Sequence, residues 1–490
     1  MKLGQLIRRW GLASALALIS FGSWKVAQEE AADEASVQRV DYEQSLSTPM
    51  LSARRIPRTL QAPVIDDRIR PSLKATIDAS PPNSCLLVET IDRRLTPTSN
   101  VSTGFVPASN QKILTTYGAL HILGPDFRFR TTVQALAAPV NGVIDGDLFL
   151  VGDGDPFLTT DSWWTQYENV DGRFHTRLED LADAVVDAGV TTINGRLVGD
   201  ESLFDNVRRG PWAERLIAGK QSGPLSALTV NEGFVDWPTP HPGSARLRGE
   251  TDNPPLHAVS VLGQLLQERG VTFAGSAAEP VGAGFITVAE VQSPPLTDIA
   301  THINSFSSNI GAELLLKRLG VATAGVGSTE SGSAAVLALL QERTIPIDGV
   351  VVRDGSGLAE SNRLTCAAIS AILADASPVS PLGRSLSISG ERGSLAKRFI
   401  DTPADGAVLA KTGTLDGVSA LSGYLRSATN PDVYLTFAYL ANEEFISQDE
   451  LRPLSQELIK SLQQELLVAL TTYPGAPELE ELDPLEPVPT

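Results

Sequence analysis

Apolar residues near the C-terminal end of the chain first follow strand-like runs and then recur with the spacing of a helix. Three β-like runs cover residues 407–410, 418–425 and 433–440, and the turn residues Asp416-Gly417 join the first two. Leucines then recur at steps of three and four, at Leu451, Leu454, Leu458, Leu462 and Leu466. That spacing is typical of a helix with one buried face. We therefore predict an antiparallel meander with a helix covering one side of it.

The preceding part of the chain shows two different patterns. A short helical stretch at 65–77 and a strand at 85–91 resemble the C-terminal elements. Residues 127–281 instead contain short β-like runs, such as 143–151 and 193–198, between Gly- and Asp-rich turns. We predict an α+β fold built from residues 60–126 and 282–472, with one or two β-rich domains inserted at 127–281.

The two ends of the chain follow neither pattern. Arg8 and Arg9 precede an apolar run at 11–22, which is typical of an export signal within residues 1–27 and short for a membrane span. If it is not cleaved, the segment would instead anchor the protein to the membrane. Residues 28–59 are predicted to be an acidic linker, and residues 473–490, rich in Pro, Glu and Asp, a disordered acidic tail.

Composition excludes two functional classes. The chain has 490 residues and a net charge of −19, and no basic patch stands out, so nucleic acid is not an expected partner. Its five histidines are scattered without an H-E-x-x-H motif, which argues against a zinc hydrolase. We expect neither a metal nor an organic cofactor.

The chain has only two cysteines, Cys85 and Cys366. Both lie in apolar surroundings, so we predict two buried thiols, while a single bridge between them stays open.

The first candidate for chemistry is an S-x-x-K motif. Ala108-Ser109-Asn110-Gln111-Lys112 opens a run with helical apolar spacing that ends at Gly124-Pro125. Ser109 is therefore predicted at the start of a helix, with Lys112 one turn later on the same face. A buried lysine with a lowered pKa can take the proton of a serine nucleophile. Alone the motif is weak, since a capping serine and a solvated lysine give the same pattern.

Two further motifs change that balance. Ser307-Ser308-Asn309 begins a second predicted helix, where Ser307 could relay a proton to a leaving amine and Asn309 could hold the acyl amide and fix Lys112. Lys411-Thr412-Gly413-Thr414 follows the β-like run 407–410. Without a catalytic role, the first of these motifs would be another helix cap, and the second would be a strand end with an exposed lysine.

The K-T-G motif also suits substrate binding. Lys411, Thr412 and Thr414 can hold a terminal carboxylate, while Gly413 leaves room for a substrate backbone. The Thr414 N–H could complete an oxyanion hole with that of Ser109. In a chain of this length, far less than about one K-T-G tripeptide is expected by chance.

The three motifs in this order resemble those of the serine penicillin-recognising enzymes. The long stretch between Ser109 and Ser307 resembles the class C low-molecular-mass penicillin-binding proteins, the D-alanyl-D-alanine carboxypeptidase/endopeptidase (peptidase S13) family. The resemblance covers residues 60–470 and includes the segments Gly152-Asp153-Gly154-Asp155-Pro156 and Asp354-Gly355-Ser356-Gly357-Leu358. It departs at Ser308, where the family usually has Asp, and at Ser394, where Thr is usual.

The resemblance implies a serine β-lactamase/DD-peptidase-like transpeptidase fold, an antiparallel sheet covered by helices with a helical subdomain. It implies an exported enzyme of the periplasm or cell envelope that acts on peptidoglycan stem peptides through an acyl-enzyme on Ser109. β-Lactam antibiotics would be covalent inhibitors. Two alternatives stay open: a β-lactamase, which would release the drug quickly, and a wall-binding protein that does not use its site. Carboxypeptidase and endopeptidase action are not separated by the sequence.

Overall fold

An antiparallel five-stranded sheet forms the centre of the fold. The computed structural model describes residues 58–90, 98–167, 173–235, 249–282, 285–443 and 456–473. Within these ranges the strands are β1 (Ser84–Thr90), β2 (Arg130–Ala135), β3 (Val143–Ile144), β4 (Leu148–Val151), β5 (Leu158–Thr159), β6 (Thr176–Arg177), β7 (Thr192–Ile193), β8 (Leu197–Asp200), β9 (Ser276–Ala278), β10 (Ile286–Gln292), β11 (Ser387–Ile388), β12 (Val408–Leu415), β13 (Val418–Arg426) and β14 (Tyr434–Asn442). The helices are α1 (Arg58–Ala79), α2 (Gln111–Ile122), α3 (Asp161–Trp164), α4 (Leu178–Asp187), α5 (Glu214–Ala218), α6 (Pro254–Glu268), α7 (Leu296–Phe306), α8 (Asn309–Ala324), α9 (Thr329–Glu342), α10 (Cys366–Ala376), α11 (Pro381–Ser385) and α12 (Gln456–Leu470).

The central sheet contains the predicted meander. Its strand order is β1-β14-β13-β12-β11, and every neighbouring pair is antiparallel. Asp416-Gly417 joins β12 to β13, with Gly417 at φ 66°, a left-handed conformation that glycine adopts without strain. The strand predicted at 85–91 is β1, which pairs with β14. The predicted α+β class is confirmed.

Helices cover both faces of this sheet. Successive side chains of each strand point to opposite sides, so each strand contributes to two cores. On one face, Leu421 and Leu425 of β13 belong to a core with residues of α1 and α12. On the other, Ala420 and Tyr424 belong to a larger core with residues of α2, α7, α8 and α10. The S-x-x-K helix α2 and the S-x-N helix α8 both contribute to this second core.

The inserted region has its own sheet and its own core. The strand order is β10-β2-β4-β8-β9, and β4, β8 and β9 run parallel. Helices α4 and α6 connect these parallel strands and pack with them in one apolar cluster. The region is therefore mixed α/β rather than simply β-rich, since parallel strands need crossover connections. Strand β10, which pairs with β2, lies beyond the predicted boundary at 281.

The two cysteines form a disulfide, so the prediction of two free thiols is wrong. Cys85 of β1 and Cys366 of α10 are both fully buried, with their Cα atoms 6.1 Å apart. Their apolar surroundings indicated burial correctly. Pairing depends on a contact between residues 281 positions apart, which the local sequence does not reveal.

Some predicted boundaries move or fall outside the described residues. Lys411-Thr412-Gly413-Thr414 lies within β12 instead of at a strand end. Helix α1 begins at Arg58, inside the predicted linker, and Tyr473, predicted to begin the tail, is buried. The export signal, the rest of the linker and tail, and Leu451 and Leu454 lie outside the described residues. No described helix has the length and apolar character needed to cross a membrane.

Candidate active site

Ser109 lies in a 3₁₀ turn (Ala108–Asn110) that leads directly into α2. Ala108, just before it, has φ 46°, a conformation that costs free energy for a residue with a side chain. Ser109 is half-buried, whereas Ala108 and Asn110 are buried. Asn110 donates from Nδ2 to Ser422 Oγ of β13 at 2.8 Å, which fixes the turn against the central sheet. The serine hydroxyl is thus held at the N-terminus of α2 and beside the central sheet.

Lys112, in the first turn of α2, is fully buried. Its Nζ lies 3.0 Å from Ser109 Oγ, 2.7 Å from Asn309 Oδ1 and 2.7 Å from the Ser356 carbonyl oxygen. Burial lowers the pKa of Lys112 to about 7, although Asp354 and then Glu313 act in the opposite direction. The alternative of a solvated lysine is therefore wrong.

The S-x-N motif forms the junction between α7 and α8. Ser307 ends α7 with φ 61°, and Ser308 caps α8 by accepting from the Gly311 N–H at 3.1 Å. The helix cap that this motif allowed is therefore present and is Ser308. Aspartate, usual at this position in the family, also caps helices, so the departure preserves the local structure. Asn309 donates from Nδ2 to the Gln221 carbonyl oxygen of the inserted region at 2.7 Å.

Lys411 of β12 is also fully buried, which rules out the alternative of an exposed strand-end lysine. It donates from Nζ to Ser307 Oγ and to the Thr412 carbonyl oxygen, each at 3.0 Å. Burial and then the charge of Lys112 hold the pKa of Lys411 well below its ordinary value. Thr412 donates from Oγ1 to Ser394 Oγ at 2.8 Å. Lys411 thus joins the K-T-G strand to the S-x-N turn.

Gly413 is where β12 approaches the nucleophile. A Cβ atom placed there would lie 2.7 Å from the Pro107 carbonyl oxygen and 3.2 Å from the Ser109 backbone nitrogen. A side chain would therefore fill the space beside the Ser109 N–H. Thr414 follows in the same strand and lines a pocket together with Thr412 and Gly413.

The loop Asp354-Gly355-Ser356-Gly357, part of one of the segments that carry the family resemblance, also contributes to the site. Asp354 accepts hydrogen bonds from the Gly357 and Ala359 N–H groups at 2.8 and 2.6 Å. Its neighbour Ser356 offers the carbonyl oxygen that faces Lys112. The sequence analysis missed this contact because a main-chain oxygen carries no residue-specific signal.

Glu313 is a second group that the sequence analysis missed. This fully buried residue of α8 accepts from the Gly355 and Ser356 N–H groups at 3.2 and 2.9 Å. Burial and the nearby Asp354 raise the pKa of Glu313 to about 8. A lone carboxylate between Ala312 and Leu314, on an otherwise apolar stretch of helix, was the available signal.

The geometry brings the three motifs together around Ser109. In the described residues no group of three or more His, Cys, Asp or Glu side chains could hold a metal ion. A serine and a buried lysine at a helix start, an S-x-N turn and a K-T-G strand, on a sheet between helical layers, define the class of serine β-lactamases and DD-peptidases.

Comparisons with known proteins identify the family within that class. The model of the D-Ala-D-Ala carboxypeptidase 3 (S13) family matches residues 90–246 and 244–464. A D-alanyl-D-alanine carboxypeptidase from an Actinomadura species is 30% identical over 69% of this chain and 73% of its own length. The carboxypeptidase DacB of Mycolicibacterium smegmatis is 31% identical over 69% of this chain and 71% of its own. The chain therefore belongs to the S13 family, and its activity is that of a serine-type D-Ala-D-Ala carboxypeptidase of the cell wall.

A solved structure supports the fold. The crystal structure of penicillin binding protein 4 (dacB) from Haemophilus influenzae matches with a TM-score of 0.66 and 23% identity. The match covers 80% of this chain and 99% of that chain. It confirms the predicted β-lactamase/DD-peptidase-like architecture.

Proposed function

We propose that Ser109 attacks the carbonyl of the penultimate D-Ala in peptidoglycan stem peptides and that Lys112 takes its proton. The contacts of Lys112 support this assignment. A neutral amine has two N–H groups and one lone pair. The two N–H groups can donate to Asn309 Oδ1 and the Ser356 carbonyl, each at 2.7 Å, while the lone pair faces Ser109 Oγ at 3.0 Å. This arrangement carries the proposal, because it leaves Lys112 one function, accepting the serine proton.

The remaining site residues have complementary roles in this proposal. The N–H groups of Ser109 and Thr414 stabilise the oxyanion of the tetrahedral intermediate. Ser307 accepts from Lys411 at 3.0 Å, which leaves its own hydroxyl hydrogen to be passed to the leaving amine. The proton that Lys112 removed replaces it. Asn309 orients the acyl amide, and water then hydrolyses the acyl-enzyme and regenerates Ser109.

The leaving D-Ala is held by its carboxylate in this proposal. The arriving carboxylate favours the ammonium form of Lys411 and so opposes the effect of burial on its pKa, and Thr412 and Thr414 supply hydroxyl donors from β12. The carboxylate of penicillin would occupy the same place, and its strained β-lactam amide would take the place of the scissile bond. The drug would therefore acylate Ser109 as a substrate mimic. A second crystal structure of the H. influenzae penicillin binding protein 4 contains a novel β-lactam. This complex supports the same class of ligand here.

We also propose that the chain is exported to the periplasm by the signal within residues 1–27. The Cys85–Cys366 disulfide supports export, because structural disulfides persist in oxidising compartments. An anchor formed by the same segment is the alternative, and fractionation of cells into soluble and membrane parts would distinguish the two.

Intact mass with and without benzylpenicillin tests the assignment of the nucleophile. We expect a lasting adduct that peptide mapping places on Ser109, and none in Ser109→Ala. The same variant should lose release of D-Ala from a D-Ala-D-Ala peptide by a factor of about 10⁶. Ser308→Ala, which removes a helix cap beside the site but leaves the nucleophile, is the control and should still be acylated.

The outcomes separate the alternatives. Unchanged D-Ala release in Ser109→Ala would refute the assignment. Fast, sustained turnover of penicillin would indicate a β-lactamase instead. An intact drug with no adduct would favour a wall-binding protein that does not use its site.

A further inference from the structure

A cavity of about 470 Å³ opens beside the K-T-G strand. Thr412, Gly413 and Thr414 of β12 form one wall, and Lys460 and Gln463 of α12 form another. The departing D-Ala side chain is a single methyl group, so the cavity is much larger than that leaving group requires. It begins at the residues that the proposed function assigns to the leaving carboxylate.

Arg398 projects a cation into this cavity without an acidic partner. It is half-buried, and its Nη2 donates to two neutral oxygens, the Lys460 carbonyl and Gln463 Oε1, both at 3.3 Å. Burial lowers the pKa of its guanidinium below the ordinary value. Within the described ranges no carboxylate lies at ion-pair distance from Arg398; Glu457, which pairs with Lys460 at 3.0 Å, lines the same cavity and acts on Arg398 only at longer range. Charges that are removed from water are normally paired.

Gln463 provides a second sign of a missing partner. Its side chain is only 2% exposed, and Nε2 has no hydrogen-bond partner. The amide cannot be turned to correct this, because Oε1 must face the donating guanidinium of Arg398. A buried donor without an acceptor is unfavourable, because it has lost its hydrogen bond to water. Arg398 thus contacts only neutral acceptors, and Gln463, which positions it, has an unsatisfied donor of its own.

We propose that Arg398, positioned by Gln463, binds a second carboxylate on the leaving side of the scissile bond. The ligand is a leaving D-amino acid whose side chain is longer than that of D-Ala and bears a carboxylate, as in the departing strand of a cross-link. This inference rests on the proposed function, since Thr412 and Thr414 hold the first carboxylate of the same leaving group. Lys460 and its ion-pair partner Glu457 also line the cavity and carry opposite charges, so the net positive charge of the wall comes from Arg398.

Three synthetic substrates with one common acyl part test the proposal. The first releases D-Ala, the second a D-amino acid whose side chain ends in a carboxylate, and the third the same residue with a terminal amide. We expect the intact protein to prefer the acid over the amide in kcat/KM by about ten- to a hundredfold. Arg398→Met should bring the ratio of acid to amide close to one, and Arg398→Lys should keep part of it.

Two further variants control the result. Arg426→Met removes a half-buried arginine that donates to the Gly406 carbonyl outside the cavity, and it should leave the ratio unchanged. Gln463→Met removes the partner of Arg398 and should lower the ratio, which keeps the test valid if Arg398→Met does not fold. Equal rates on acid and amide, or a preference that survives Arg398→Met, would overturn the subsite. Failure to cleave any of the three substrates would contradict the proposed function instead.

Discussion

Lys112 shows how one side chain combines opposing electrostatic effects. Full burial disfavours its ammonium form and lowers its pKa to about 7, while Asp354 and Glu313 partly restore the charged form. The same Glu313 holds the Gly355 and Ser356 N–H groups, and the Ser356 carbonyl faces Lys112 Nζ. Glu313 therefore acts on the proposed base through the loop, which makes it a positioning residue.

The pH dependence of acylation tests this arrangement. Because the neutral amine is the base, kcat/KM for D-Ala release should rise with pH through about 7, the pKa of Lys112, and fall about tenfold per unit below it. Glu313, with a pKa of about 8, is largely protonated at this pH, so Glu313→Gln should leave the midpoint nearly in place. Asp354→Asn removes the larger of the two opposing effects, so it should stabilise the ammonium less and move the midpoint to lower pH. Glu330→Gln, on an exposed residue of α9, is the control. A midpoint that stays in place or moves upward in Asp354→Asn would contradict this electrostatic balance.

The sequence predicted the chemistry of the side chains better than that of the backbone. Ser109, Lys112, Ser307 and Asn309 were identified because motifs that are weak alone occur together in the order typical of one class of enzyme. The Ser356 carbonyl and the Gln221 carbonyl also contact the site, but every residue has a carbonyl. Only the fold determines which of them faces the site.

Strand β12 links the sheet to the nucleophile. It pairs with β13 over its whole length, Lys411 opposite Ser422 and Gly413 opposite Ala420. Alternation along the strand places Lys411 and Gly413 on the side of Ser109, and Thr412 and Thr414 on the side of α12. Apolar residues alone indicated a strand that ends before Lys411, because the functional residues of this strand are polar.

Gly413→Ala tests the close approach of β12 to Ser109. The new methyl group would meet the Pro107 carbonyl oxygen at 2.7 Å and the Ser109 nitrogen at 3.2 Å, so either the strand moves or the oxyanion N–H is blocked. We expect penicillin acylation to slow by about a hundredfold or more, the size of a lost oxyanion donor. Gly275→Ala, where a Cβ atom meets nothing within 4 Å, should acylate normally. Normal acylation of Gly413→Ala would argue against the oxyanion hole.

The helices of the inserted region show the limit of pattern analysis. Leu178, Leu181, Ala182 and Val185 form the buried face of α4, and this spacing was present in the sequence. The neighbouring short β-like runs and turns favoured an all-β interpretation. The parallel pairing of β4 with β8, which requires a crossover helix, depends on contacts distant in sequence.

At the scale of the whole molecule, contacts between the inserted region and the outer fold surround the cleft. Arg215 of α5 forms ion pairs with Glu360 and with Asp416. Asp416 lies in the β12–β13 turn, and its Oδ2 is 2.8 Å from Arg215 Nε. Asn309 of α8 is held by the Gln221 carbonyl. The inserted region thus contacts the outer fold beside the K-T-G strand and the S-x-N turn, so its removal would disturb the S-x-N turn directly.

The Cys85–Cys366 disulfide stabilises the outer fold across most of the chain. It joins β1 to α10 over a separation of 281 residues, so it restricts a long loop in the unfolded state. We expect the double variant Cys85→Ala/Cys366→Ala to lose about 2–5 kcal/mol in the free energy of unfolding, measured by denaturant titration. Part of that loss could come from the missing sulfur atoms in the core, so reduced wild type is the control. A thiol reductant should destabilise wild type and leave the double variant unchanged. If the reductant has no effect on wild type after full reduction, the bridge contributes only packing, and the stability of the sheet comes from its two helical layers.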